Sequence, residues 1–171
     1  MSSANRIFDL LPAERERAVP VVIDSFVGIY RWHAKRTLRL ASEVRAIEEE
    51  GRVVGVSMLE RLVPEAGYVY YLAVAQTHRR KGLGASLLDD ALERFTTGGA
   101  QVVYAAAEQD NVASIELFRS RGFRLVERQE VGFREGGLGA WGLRSRMRVV
   151  HGEVLLGKRV APPSGPTQLE L

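Results

Sequence analysis

Tyr68-Val69-Tyr70-Tyr71-Leu72-Ala73-Val74-Ala75-Gln76-Thr77-His78-Arg79-Arg80-Lys81-Gly82-Leu83-Gly84-Ala85 runs from a strand through a glycine turn into a helix. Tyr68 to Val74 is apolar at odd and even positions alike, the pattern of a strand covered on both faces. From Gly82 to Phe95, Leu83, Leu87, Ala91 and Phe95 recur on one stripe, with Leu88 and Leu92 beside it. That spacing predicts an amphipathic helix. N–H groups at a helix start have no intrahelical partner and lie at the positive end of the helix dipole. Glycines let a ligand approach such a backbone closely, so Arg79 to Ala85 reads as an anion site. The same glycines would also serve simply to let helix and strand pack. The stretch lacks the third glycine and the acidic residue of a dinucleotide fingerprint, and no Gly-Lys-Ser/Thr of a phosphate-binding P-loop follows.

Working outward, Asn5 to Leu10 reads as a short strand. Pro12 to Arg39 reads as helical, with Val19, Val22, Ile23, Phe26 and Tyr30 at spacings of three and four. Pro20 inside it predicts two helices or a kink. Val44 to Ile47 and Arg52 to Leu62 read as strands joined by a tight turn at Glu50-Gly51. Gln101 to Ala107 is the next strand. Asn111 to Arg121 is a helix that Asn111 or Asp110 can cap at its start, with Gly122 placed for a left-handed C-terminal cap. Two strands, near Phe123 to Phe133 and Arg148 to Val160, complete the series. A hairpin run followed by a β-α-β unit implies a mixed sheet with helices on both faces. Gly132 to Gly142 carries five glycines and reads as a flexible loop or long hairpin tip. We expect one domain over residues 5–160 and a disordered tail over 161–171, rich in Pro, Gly and Ser.

Composition removes several chemistries. The 171 residues hold no cysteine, which excludes disulfides, thiolate metal sites and a cysteine nucleophile. His33, His78 and His151 have no metal-ligand spacing, and no metal is expected. No apolar run approaches the roughly 20 residues of a membrane helix, and the start is not a secretory signal. The expected compartment is the cytoplasm, with no membrane partner. The net charge of +3 comes almost wholly from arginine, in short groups rather than on one face. Nucleic acid is therefore not an expected partner, while a mild positive field suits an anionic ligand.

Arg79-x-x-Gly82-x-Gly84, with Val74 eight residues before Gly82, resembles the (Gln/Arg)-x-x-Gly-x-(Gly/Ala) signature of the GNAT acetyltransferase superfamily. Asn111-x-x-Ser114-x-x-x-Phe118-x-x-x-Gly122-Phe123 is similar to that family's second signature, in the right order and spacing. The likeness is specific from about Gly67 to Phe123. Within Gly67 to Ala85 it is strongest to acetyltransferases that act on protein amino termini. The resemblance implies an α/β fold: a mixed, mostly antiparallel, splayed sheet of about seven strands with helices on both faces. It implies acetyl-CoA as co-substrate. The backbone of Leu72, Ala73 and Val74 would pair with the pantetheine arm. The amides of Arg80, Lys81, Gly82, Leu83, Gly84 and Ala85 would hold the pyrophosphate, with Arg79 opening the loop. Asn111 would bond the pantetheine or cap its helix, Ser114 would face the cofactor or solvent, and Phe118 would pack near the thiol.

Two departures bear on catalysis. Phe118 stands where many relatives carry a tyrosine able to protonate the departing thiolate. Tyr70, Tyr71 and Tyr104 are the nearby hydroxyls. Positions where relatives carry a catalytic glutamate hold Tyr68 and Ala106 here, which leaves Glu108 as the candidate base and Tyr68 as a second candidate catalytic group. His33, beside Tyr30 and Trp32, falls in the region that often walls the acceptor site. The implied reaction is direct transfer in a ternary complex to a primary amine, with a protein or peptide amino group favoured. A small-molecule amine, or an acyl-CoA-binding regulatory module without fast turnover, are the alternatives. A homodimer is left open.

Overall fold

A computed structural model describes residues 6–127, 130–131, 147, 149 and 152–160. Seven strands form one sheet in the order β1-β2-β3-β4-β5-β7-β6. They are β1 (Ile7–Asp9), β2 (Glu43–Glu49), β3 (Arg52–Val63), β4 (Ala66–Val74), β5 (Val102–Glu108), β6 (Arg124–Leu125) and β7 (Glu153–Arg159). Every pairing is antiparallel except β4 with β5. The expected mixed sheet is therefore present, and the fully apolar strand is central. Between β2 and β3, Glu50 and Gly51 both have positive φ, +50° and +77°. Two such residues in a two-residue loop match the right-handed twist of the flanking strands.

The long helical stretch divides into a 3₁₀ turn (Pro12–Ala18), α1 (Val19–Ser25) and α2 (Gly28–Leu40). Pro20 stands just after the boundary between the 3₁₀ turn and α1. It occupies the first turn of α1, where its missing N–H has no partner to lose. A second break, which the spacing does not predict, falls at Phe26 and Val27, whose backbones are extended. Buried Arg15 then fixes the far end of α2. Its Nη1 donates to the carbonyls of Leu38, Arg39 and Ala41 at 3.2, 3.1 and 2.9 Å. These are the orphan acceptors that a helix end leaves.

α1 and α2 cover one face of the sheet, through Val21, Val22, Ala34 and Leu38 against Val44, Val56 and Met58. The other face carries α3 (Leu83–Thr97) and α4 (Val112–Ser120). Leu87, Leu88 and Ala91 of α3 are fully buried there, as the stripe predicts. On that face Arg45 makes a two-pronged pair with Asp90, Nε to Oδ2 and Nη2 to Oδ1 both at 2.9 Å, and reaches Asp9 at 2.6 Å. Its guanidinium pKa is raised by the hydrogen bond to Asp90, so it stays charged.

Gly67 sits directly beneath the Phe95 ring. A Cβ there would lie 2.4 Å from Phe95 Cδ1. We expect Gly67→Ala to cost about 1–3 kcal/mol through overpacking, read as a Tm lowered by several degrees in a thermal melt. An unchanged Tm would show that the Phe95 ring moves aside freely.

The strand expected near Phe123 to Phe133 is described only as the two-residue β6. The last strand spans Glu153–Arg159 rather than beginning at Arg148. The glycine-rich stretch 132–142 and the tail 161–171 lie outside the described residues.

Candidate active site

β4 and β5 begin as partners and then part. Their register runs from Ala66↔Val102 to Val69↔Ala105 and stops. β4 continues to Val74 against β3, and β5 continues to Glu108 against β7. Between the diverging ends opens a cleft of about 410 Å³. α2 lines it with Ile29, Tyr30, His33 and Thr37, and α4 with Ser114, Leu117 and Phe118. Phe26, Asn111, Met147 and Glu153 contribute too.

The open edge of β4 follows from strand alternation. Ala75 N donates to Val54 O at 2.8 Å, and the register Val56↔Ala73 repeats that pairing two residues on. In an antiparallel ladder, alternate residues point their N–H and C=O away from the partner. Leu72 and Val74 thus direct theirs toward the cleft side, while Ala73 between them is turned to β3. Val74 O receives Arg79 Nε at 3.0 Å and Ser25 Oγ at 3.4 Å. The Arg79 side chain is thereby folded back onto the end of β4.

A register shift near Met58 and Leu59 leaves Tyr70 as an extra residue, since Met58 opposes Tyr71 and Leu59 opposes Val69. An extra residue reverses the in–out phase of the strand beyond it. Tyr68, Tyr70, Tyr71 and Ala73 consequently share the α1–α2 side. Tyr68 meets Tyr70 edge to face at 4.6 Å, and Phe26 meets Tyr71 at 5.1 Å. Tyr68 is 2% exposed, and its hydroxyl pKa is pushed far up, first by burial and then by Glu153. Burial thus favours the protonated hydroxyl.

The glycine loop lies against this cleft rather than inside it. Arg80 and Gly82 take positive φ, +60° and +82°, which turns the chain into α3. Gly82 is the N-cap and α3 has no side-chain cap, so its first amides stay available. A Cβ on Gly84 would meet Leu72 Cδ2 and Leu117 Cδ2, both at 3.4 Å. Those two leucines line the cleft, so the helix start and the cleft adjoin through Gly84.

Among the candidates read from sequence, Tyr68, Leu72, Glu108, Asn111, Ser114 and Phe118 line the cleft together, as do His33, Tyr70 and Tyr71. Val74, Arg79 and the loop to Ala85 stand at its side. Tyr104 does not reach it, being buried at 3% exposure and facing a separate small crevice. Asn111 Oδ1 accepts from Ser114 N at 3.1 Å and caps α4. Glu108 is exposed at the end of β5, directly opposite Glu153 on β7. Glu153 escaped the sequence reading because only the β5–β7 register brings it there. Among the described residues, no group of three His, Asp or Glu side chains could hold a metal. No described helix is long and apolar enough to cross a membrane.

Phe118 is 5% exposed and packs edge to face on Phe123 at 5.1 Å. We expect Phe118→Tyr to leave turnover equal or raised, because a hydroxyl added at the cleft wall offers a proton without removing the ring. Loss of turnover in a folded variant would show that the ring position itself is what matters.

This arrangement is a splayed sheet with an anion-ready helix start beside an open strand edge. The chain belongs to the acetyltransferase (GNAT) family, whose sequence profile matches residues 7–123. It is 34% identical over 90 residues to the N-alpha-acetyltransferase RimI of Mycobacterium tuberculosis, covering 53% of this chain and 55% of that one. It is 33% identical over 86 residues to the L-2,4-diaminobutyric acid acetyltransferase of Nocardia farcinica, covering 47% and 45%. The chain thus spans about half the length of either relative. In structure it is similar to the PaiA N-acetyltransferase of Thermoplasma acidophilum in complex with coenzyme A. The TM-score is 0.67 at 11% identity, over 91% of this chain and 98% of that one.

Proposed function

We propose that this protein transfers an acetyl group from acetyl-CoA to a primary amine, by direct attack in a ternary complex, with a protein or peptide amino group as acceptor. The observation that carries the reading is the end of β4 at Leu72 to Val74, where alternate backbone groups turn away from β3, running into the start of α3, which has no side-chain cap. A pantetheine arm offers amides, and the backbone groups of Leu72 and the N–H of Val74, turned away from β3, are of the matching kind. A pyrophosphate offers charge, and the α3 start offers free amides and a positive dipole end. Arg80 and Lys81, exposed in the loop, add to the attraction.

When bound, acetyl-CoA supplies a thioester carbonyl. The cleft-side N–H of Leu72 or Val74 would donate to its oxygen as negative charge develops. An amine at neutral pH is mostly ammonium and must lose a proton before attack. Glu108 would take that proton, directly or through water. The C–N bond forms as the C–S bond breaks, and solvent protonates the departing thiolate, since Phe118 has no proton to give.

The test is coenzyme A release from acetyl-CoA against small amines and short peptides, with acetyl-CoA binding followed by calorimetry. Release that depends on an added amine supports the reading. Binding without turnover across the whole panel would instead favour a regulatory acyl-CoA module.

A further inference from the structure

Asp24 and Ser25 close α1, and both side chains reach across to the end of β4. Asp24 Oδ2 accepts from Gln76 N at 2.5 Å, 52 residues away in sequence. Ser25 Oγ donates to Val74 O at 3.4 Å. Between these two points Ala75 N is turned the other way and donates to Val54 O of β3 at 2.8 Å. From Ser25 the chain continues into the cleft wall. Phe26 lines the cleft and meets Tyr71 of β4 edge to face at 5.1 Å. Arg31 Nε donates to Phe26 O at 2.7 Å and ties the first turn of α2 to the same residue. Ile29 and Tyr30 follow on the wall.

Helix energetics do not account for Asp24. A carboxylate in the last turn lies at the negative end of the helix dipole, and α1 carries no basic residue there to offset it. Asp24 is exposed, so it fills no core position either. What its carboxylate gains is the Gln76 N–H, a charge-assisted bond of the stronger kind. That bond joins the two halves of the site. On one side is the wall from Phe26 to Tyr30, which an acceptor amine would meet. On the other is the stretch from Leu72 to Arg79, where β4 ends and the glycine loop begins.

We propose that Asp24 is a positioning residue for acetyl transfer: by holding Gln76 N it fixes the acceptor wall against the strand end that presents the thioester. Ser25 supports the same contact through Val74 O. Transfer needs the amine nitrogen and the carbonyl carbon at about 3–3.5 Å, so a wall that shifts costs rate rather than cofactor affinity. The inference rests on the acetyl-transfer reading above and adds a residue to it.

The bond can be cut from either side. Asp24→Ala removes the acceptor. Gln76→Pro removes the donor, and Gln76 opens the short 3₁₀ turn Gln76–His78, a first position that suits proline. Ala75 before it has ψ 137°, within the range that proline asks of its predecessor. The exposed Asp24 side chain can turn aside from the new ring. Each full-length variant is assayed by coenzyme A release, with the amine of the panel above that the parent uses fastest, and acetyl-CoA binding is followed by calorimetry. We expect kcat to fall about tenfold or more in both variants. Acetyl-CoA affinity should stay within about threefold of the parent, and Tm within about 2 °C. The double variant should be no slower than the slower single one, because both cut one bond. Asp24→Asn keeps an oxygen in the same place and should retain most of the rate. With acetyl-CoA bound, the amides of residues 26–30 should exchange hydrogen faster in both single variants than in the parent. A parental kcat in either single variant, additive losses in the double variant, or unchanged exchange over residues 26–30 overturns the proposal, and acetyl transfer then stands. So does Asp24→Asn as slow as Asp24→Ala, or a loss of acetyl-CoA affinity as large as the loss of rate. Should Asp24→Ala fail to fold, Gln76→Pro decides alone. If the parent releases no coenzyme A with any amine, both readings fall.

Discussion

Glu108→Gln should lower turnover by about 10²–10⁴-fold, the range that a positioned general base supplies. The substitution keeps shape and hydrogen-bonding atoms at an exposed strand end, so the fold should change by less than about 0.5 kcal/mol. The backbone carbonyl of Glu108, which accepts from Asn111 N at 3.0 Å, is untouched. The residual rate should climb with pH as the amine loses its proton to bulk water. Steady-state rates of coenzyme A release between pH 6 and 10 read both effects. A variant rate within about threefold of the parent at neutral pH would assign the proton elsewhere. Glu153, opposite Glu108 in the ladder, is then the next residue to change.

Gly84→Glu should weaken acetyl-CoA binding by about tenfold or more, which corresponds to about 1.4 kcal/mol or more. Gly84 is a cleaner probe than Gly82. At Gly82 φ is +82°, so any side chain strains the turn whether or not a ligand binds. At Gly84 a Cβ makes only ordinary contacts with Leu72 and Leu117. Alanine there is the control that keeps the fold. A carboxylate in the first turn is compatible with the helix dipole, so the helix survives while the added charge competes with phosphate. Calorimetric titration of acetyl-CoA into both folded variants reads the difference. Equal affinities for Gly84→Glu and the parent would remove the pyrophosphate from this helix start.

The positions where reading and structure agree share a physical origin, and so do those where they differ. The stripe of Leu83, Leu87 and Ala91, the Asn111 cap and the Glu50-Gly51 turn rest on interactions within a few residues of chain. Local spacing therefore suffices to read them. The continuous apolar run of Tyr68 to Val74 is legible as a buried strand for the same reason. The extra residue at Tyr70 was not, because a bulge is a mismatch between two strands and β3 must be in place to create it. Pro20 marks the start of α1, but the break at Phe26–Val27 has no proline or glycine of its own at those two positions to announce it. Where the next helix restarts depends on how α2 packs over the sheet, and Arg15 reaching its far carbonyls belongs to that packing.

By itself, then, the sequence determined the order of elements, the helix faces, the glycine turn and the two signatures that mark the family. These are properties of neighbours along the chain. Tertiary structure alone decided where β4 and β5 part, which amides of β4 face the opening, and that Glu153 stands opposite Glu108. Each depends on pairing between residues tens of positions apart. The free energy that selects such a register comes from packing two helical layers against one sheet, and no local periodicity encodes it.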